Sequence, residues 1–120
     1  MAIKHVPGHF DFLELPSPSV ESLGRTKTFL SKVFGWSFED YGPDYADIRG
    51  AGLSAGINAD PEHRQAQPLP VIYTDQLEAM RAQVVEAGGV VERDIFSFPG
   101  GRRFHFREPS GTLLAVWSDK

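Results

Sequence analysis

The sequence predicts an α+β fold made of two tandem βαβββ modules. Three observations carry this reading. Several runs alternate apolar and polar residues with period two, as half-buried strands do. Two stretches place apolar residues at helical spacing and end on glycine. The order strand, helix, three strands then recurs after roughly fifty-five residues, and neither copy is able to bury its sheet face alone.

Taken in order, "GHFDFLELP" (8–16) reads as a strand ending at Pro16. "SPSVES" is a loop in which Ser22 is the expected helix N-cap. Leu23, Thr26, Phe29, Leu30, Val33 and Phe34 then fall at helical spacing, with Lys27 and Lys32 outside, until Gly35 stops the helix. "WSFEDY" (36–41), "YADIR" (45–49) and "LSAGI" (53–57) are three short strands separated by glycine and proline turns. The first module is thus expected over 6–58, and the polar, proline-bounded segment 59–68 is a linker.

The second module, 69–118, opens with the strand "LPVIY" (69–73). "TDQLEAMRAQVVEAGG" is a helix with Thr74 as its expected cap and Leu77, Met80, Val84 and Val85 on one face. "VVERDIFSF", "RRFHFRE" and "TLLAVWS" supply three further strands. In "RRFHFRE", Phe104 and Phe106 are expected to face a core, which leaves Arg103, His105 and Arg107 on the other side.

Composition narrows the function. A chain of 120 residues with a formal charge of −4 has no overall pull toward nucleic acid or anionic lipid. Cysteine is absent, which removes disulfides, thiolate zinc sites and thiol nucleophiles. Met1 to Phe10 lacks a long apolar stretch, and nothing later approaches a membrane span. The reading is therefore a cytoplasmic protein with no nucleic-acid or membrane partner. Three motif spellings fail on context. "GLSAG" (52–56) matches a nucleophile elbow but leads into "INADPEHRQ", not a helix. "GAGLSAG" lacks the spacing of a dinucleotide fingerprint. "RRFHFR" has no companion aromatic strand for stacking bases.

"LELPSPS" at the end of the first strand, "FLSKVFGW" at the end of the first helix, "EAGGVV" at 86–91 and the turn in "REPSGTLLAVW" resemble the vicinal oxygen chelate superfamily. That superfamily includes glyoxalase I, bleomycin-resistance proteins and extradiol dioxygenases. The resemblance covers nearly the whole chain and implies curved mixed sheets, helix on the convex side, around a cavity. It implies a homodimer as well, and a small-molecule partner. Whether the chain is an enzyme is left open, since the superfamily spans lyases, epimerases, dioxygenases and non-catalytic binders.

On that frame Leu13 and Leu15 would lie under a helix, while Phe10, Phe12 and Glu14 would face the cavity. Arg103 and Arg107 would supply bidentate donors to an anion. Of the strand aromatics Trp36, Phe38, Tyr45 and Trp117, most are read as core, with Trp36 and Trp117 taken as ligand-binding walls. Metal-dependent relatives place His, Gln or Glu at four strand positions, where this chain has Phe10, Ala55 or Gly56, one of Leu69 to Val71, and Ala115. No metal cofactor is therefore expected; the rival reading recruits Glu14, His9 and His105 to a divalent ion. The leading expectation is a protein binding a small aromatic or anionic molecule. The alternative is a glyoxalase-like lyase or related enzyme, with an unorthodox metal site or Glu14 and His105 as an acid–base pair.

Overall fold

The computed structural model describes residues 5–120, so the reading of the amino terminus falls in part outside the described residues. The elements are β1 (Phe10–Pro16), α1 (Val20–Phe34), β2 (Ser37–Asp40), β3 (Tyr45–Arg49), β4 (Ala55–Asn58), β5 (Leu69–Tyr73), α2 (Leu77–Glu86), β6 (Val90–Phe98), β7 (Gly101–Arg107) and β8 (Leu113–Ser118). This is the α+β order strand–helix–three strands, twice. The chain divides into an N-terminal unit, residues 12–69, and a C-terminal unit that joins residues 5–11 to 70–120. Residues before β1 fall in the C-terminal unit because Gly8 N donates to Tyr73 O and Tyr73 N donates to His9 O.

Within the N-terminal unit the strands lie in the order β2-β3-β4-β1, antiparallel except for the parallel pair β1–β4. Leu13 and Leu15 of β1, Ala46 and Ile48 of β3 and Ala55 and Ile57 of β4 share one face, packed with Leu23 and Leu30 of α1. The opposite, helix-distal face carries Phe12 and Glu14, Tyr45 and Asp47, and Gly56 and Asn58, as period two requires.

The N-cap of α1 lies three residues before the expected one. Ser19, extended at φ −161°, accepts from Ser22 N, so Ser22 is helical and Ser19 is the cap. Gly35 closes the helix at φ 74°, a left-handed conformation in which glycine has no Cβ to clash. Of the apolar residues at helical spacing only Leu23 is buried, with Leu30 packed beside it. Phe29 and Val33 are 60% and 55% exposed. At 100° per residue they lie about 120° and about 80° round the helix from Leu23, outside the arc that meets the sheet.

The C-terminal unit repeats the plan: β5 pairs parallel with β8, and β8–β7–β6 follow antiparallel. Leu77, Met80 and Val84 of α2 pack on Phe104, Phe106 and Val116, with Ile72, Ile95 and Leu114 around them. The expected core orientation of Phe104 and Phe106 is thus observed. Val85, expected on the same helix face, is half exposed. α2 starts at Leu77, so Thr74 lies before it and accepts from Gln76 N through its hydroxyl.

One pair of hydrogen bonds aligns the units residue by residue. Ser17 N donates to Asn58 O, and Thr74 N donates to Trp117 O, each at 2.9 Å. Ser17 therefore corresponds to Thr74 and Asn58 to Trp117, which makes Gly56 the counterpart of Ala115. Glu14 likewise matches Val71, Asp47 matches His105, and Ala46 matches Phe104.

Candidate ligand-binding face

The helix-distal face of the C-terminal unit is built in two rows across its strands. One runs Val71–Ala115–His105–Arg93, the other Tyr73–Trp117–Arg103–Phe96. Tyr73 and Trp117 meet edge to face at 5.3 Å between centroids, and Phe98 lies 6.2 Å from Trp117. The Arg103 guanidinium carbon is 5.4 Å from the Phe96 centroid and 5.7 Å from that of Phe98, within cation–π range.

His105 is 1% exposed, and its Nε2 has no hydrogen-bond partner among the described residues. Burial, then the guanidiniums of Arg103 and Arg93, push its pKa down to about 3. It is a neutral ring at physiological pH. Leaving a buried polar atom unmet costs about 1–3 kcal/mol, which a ligand group able to pair with Nε2 would recover.

At the Tyr73–Trp117 end, the partly buried Asp11 carboxylate accepts from Trp117 Nε1 at 2.9 Å and stands 2.9 Å from His5 Nδ1. The His5 ring stacks on Tyr73 at 5.0 Å and meets Trp117 edge-on at 4.9 Å. Tyr73 donates its hydroxyl to Asp119 at 2.6 Å, and this bond, with burial, raises the phenol pKa to about 12.

The helix-distal face of the N-terminal unit is acidic where this one is cationic. Glu14 is 4% exposed and accepts from Asn58 Nδ2 at 2.9 Å. Gly56 beside it has Tyr45 and Phe12 overhead: an added Cβ would stand 2.8 Å from Tyr45 Cζ and 3.0 Å from Phe12 Cζ. Across β3, burial raises the pKa of Asp47.

The residues singled out in the sequence scatter over these surroundings. Arg103, His105 and Trp117 share the C-terminal helix-distal face, and Phe12 and Glu14 share the N-terminal one. Phe10 is 68% exposed. Trp36 precedes β2, stacks on Phe34 at 5.2 Å and packs against the core under α1. That places it on the helix side of its sheet, because Gly35 turns the chain back beneath the helix before β2 begins. Arg107, at the exposed end of β7, is held by Glu92 at 2.6 Å and by Gly111 O at 2.9 Å. Sequence reasoning missed Arg93, Phe96, Phe98, Tyr73, His5 and Asp11. Tyr73 was recoverable from strand parity alone, since it is an odd-numbered residue of β5 like Val71.

The metal expected of the family finds no matching donors. Phe10, Ala55, Gly56, Leu69, Val71 and Ala115 carry no side-chain oxygen or nitrogen. Among the described residues no group of three or more His, Asp or Glu side chains comes together in a metal-holding arrangement. The residues present do not fit the group.

Comparison with curated proteins finds no match. Among solved structures, a Legionella pneumophila chain described as an NAD-dependent benzaldehyde dehydrogenase superposes with a TM-score of 0.72 at 12% identity, over 91% of this chain and 98% of that one. A glyoxalase/bleomycin resistance protein/dioxygenase superfamily member from Vibrio splendidus gives 0.66 at 15% identity, over 89% and 96%. The Mn(II)-bound glyoxalase from Novosphingobium aromaticivorans gives 0.61 at 21% identity; the match covers 98% of this chain but 40% of that one. At these identities the likeness is one of fold. The family model matches residues 17–116, and the chain belongs to the Glyoxalase/Bleomycin resistance protein/Dioxygenase superfamily.

Proposed function

We propose that this chain binds a small aromatic or anionic molecule on the helix-distal face of its C-terminal unit, without the metal site usual in its superfamily. The observation that carries this is the buried, neutral His105, its Nε2 unmet, set among Phe96, Phe98, Trp117 and two arginines. Apolar walls with a few fixed polar groups are the ordinary construction of a small-molecule site. A panel of aromatic acids, phenols and amides in thermal-shift and calorimetric titration tests it. Saturable binding by at least one class is expected. A flat response across the panel overturns the reading, and so does one tightly bound Ni, Zn, Fe or Mn per chain in protein purified without chelator.

The enzymatic alternative assigns acid–base work to Glu14 and His105. A pKa near 3 makes His105 a weak base at neutral pH, whereas proton transfer favours groups poised near the working pH. This places binding ahead of catalysis. Loss of a detected turnover in Glu14→Gln or His105→Ala would reverse that order.

Two further proposals go with this one. Phe29 and Val33, about 40° apart on α1, are exposed, and pairing of two copies would cover them. A single-chain mass in light scattering at micromolar concentration would remove the dimer. Among the described residues no helix is long and apolar enough to cross a membrane. A cytoplasmic location is checked by cell fractionation.

A further inference from the structure

β6 reaches the helix-distal face irregularly. Arg93 pairs with His105 and Phe96 with Arg103, so Asp94 and Ile95 together oppose the single residue Phe104. This is a β-bulge, which inserts a residue and re-aims its neighbours. In an unbroken strand, residues three apart point to opposite faces. Here the bulge brings both Arg93 and Phe96 to the face that carries His105.

The result is a cation held in place with no counter-ion among the described residues. The Arg93 guanidinium carbon lies 3.7 Å from the Phe96 centroid. Other arginines of this unit are engaged: Arg81 with Asp94, Arg102 with Glu78, Arg107 with Glu92. Among the described residues, no carboxylate pairs with Arg93. Stacking covers a face of the guanidinium and leaves its N–H edge, the fork that matches a carboxylate, for a partner. Across the strand pair from it lies His105, whose buried Nε2 also lacks one.

We infer that the molecule bound on this face carries a carboxylate, seated on the edge of the Arg93 guanidinium with His105 Nε2 as its second polar contact. This rests on the reading above that the face binds a small molecule. One uncompensated guanidinium beside one neutral imidazole matches a single planar negative group. Phe96, Phe98 and Trp117 suit an aromatic body behind it. The Phe96 ring and the imidazole meet edge to face, 5.6 Å between centroids.

Calorimetric titration with benzoate, benzamide and phenyl phosphate tests this on the full chain. Benzamide has the ring and the shape of benzoate without its charge. The wild type should bind benzoate about tenfold or more tighter than benzamide, as expected for a hydrogen bond to a charged group. Arg93→Met, which keeps an apolar stem over Phe96, should abolish that preference by weakening benzoate far more than benzamide, and leave the melting temperature near that of wild type. In long-range ¹H–¹⁵N spectra the His105 Nε2 resonance should move on adding benzoate. Equal affinity for benzoate and benzamide, a preference that survives in Arg93→Met, tighter binding of phenyl phosphate, or an unmoved His105 resonance each overturns the inference. In all of these the binding reading survives. If no compound binds the wild type, that reading fails and the inference falls with it.

Discussion

The N-terminal unit sets Glu14, Gly56, Asp47 and Glu39 in a row across its helix-distal face; at the matching places the C-terminal unit sets Val71, Ala115, His105 and Arg93. The backbones follow one plan, strand for strand and hydrogen bond for hydrogen bond at Ser17 and Thr74. The chemistry is opposite. One row is acidic and its buried carboxylate has a donor in Asn58; the other is basic and its buried imidazole nitrogen has no partner among the described residues. Duplicating a fold therefore duplicates the lattice of positions and leaves the site to the side chains placed on it.

The cores differ as well. Ala46 fills the place in β3 that Phe104 fills in β7. In the N-terminal unit Leu13, Leu15, Trp36 and Phe38 pack around that core, while in the C-terminal unit the fully buried Phe104 sits among Leu77, Phe106 and Val116. The largest effect expected of any test follows. Phe104→Ala should cost about 3–5 kcal/mol in urea or thermal unfolding, from the lost burial of the ring and the cavity left among Leu77, Phe106 and Val116. A loss under about 1 kcal/mol would show that the C-terminal core does not depend on that ring.

The contrast between a partnered and an unpartnered buried polar group is sharper still. Asn58→Leu removes a donor from the buried Glu14 carboxylate and should cost about 1.5–3 kcal/mol. His105→Leu at pH 7 removes a ring nitrogen that no described residue meets, and should cost less than Asn58→Leu. The reverse ranking in paired denaturation curves would break the comparison.

A further effect is read in pH. The imidazole of His105 has a folded pKa of about 3 against an ordinary value of 6.5, so the unfolded chain binds its proton first as pH falls. Its contribution to stability is complete above about pH 6.5 and declines through the window down to about pH 3, by at most about 1.4 kcal/mol per unit. The carboxylates add their own acid dependence, so the quantity to measure is the difference between wild type and His105→Leu at pH 7, 5.5 and 4.5. Parallel curves would mean that His105 is solvated in the native state.

Much of the architecture was legible in the sequence because its causes are local. Period-two runs, helix-ending glycines and proline turns place β3, β5 and β6 at their observed bounds, and the repeat fixes the element order. The orientation of Phe104 and Phe106 follows from parity and from the advantage of burying two rings. Parity alone, however, left Arg103, His105 and Arg107 equivalent. Tertiary structure separates them: His105 is buried mid-sheet, while Arg107 at the strand end is taken by Glu92. Parity also predicts Arg93 and Phe96 on opposite faces, and the bulge in β6, a property of its pairing with β7, puts them on one. Trp36 sits beneath α1 for a like reason, as the direction of the chain after Gly35 depends on the helix having docked. Periodicity is written residue by residue; register, bulges and the partner each charge finds are settled only when strands meet, because they minimise the energy of the pair and not of either strand alone.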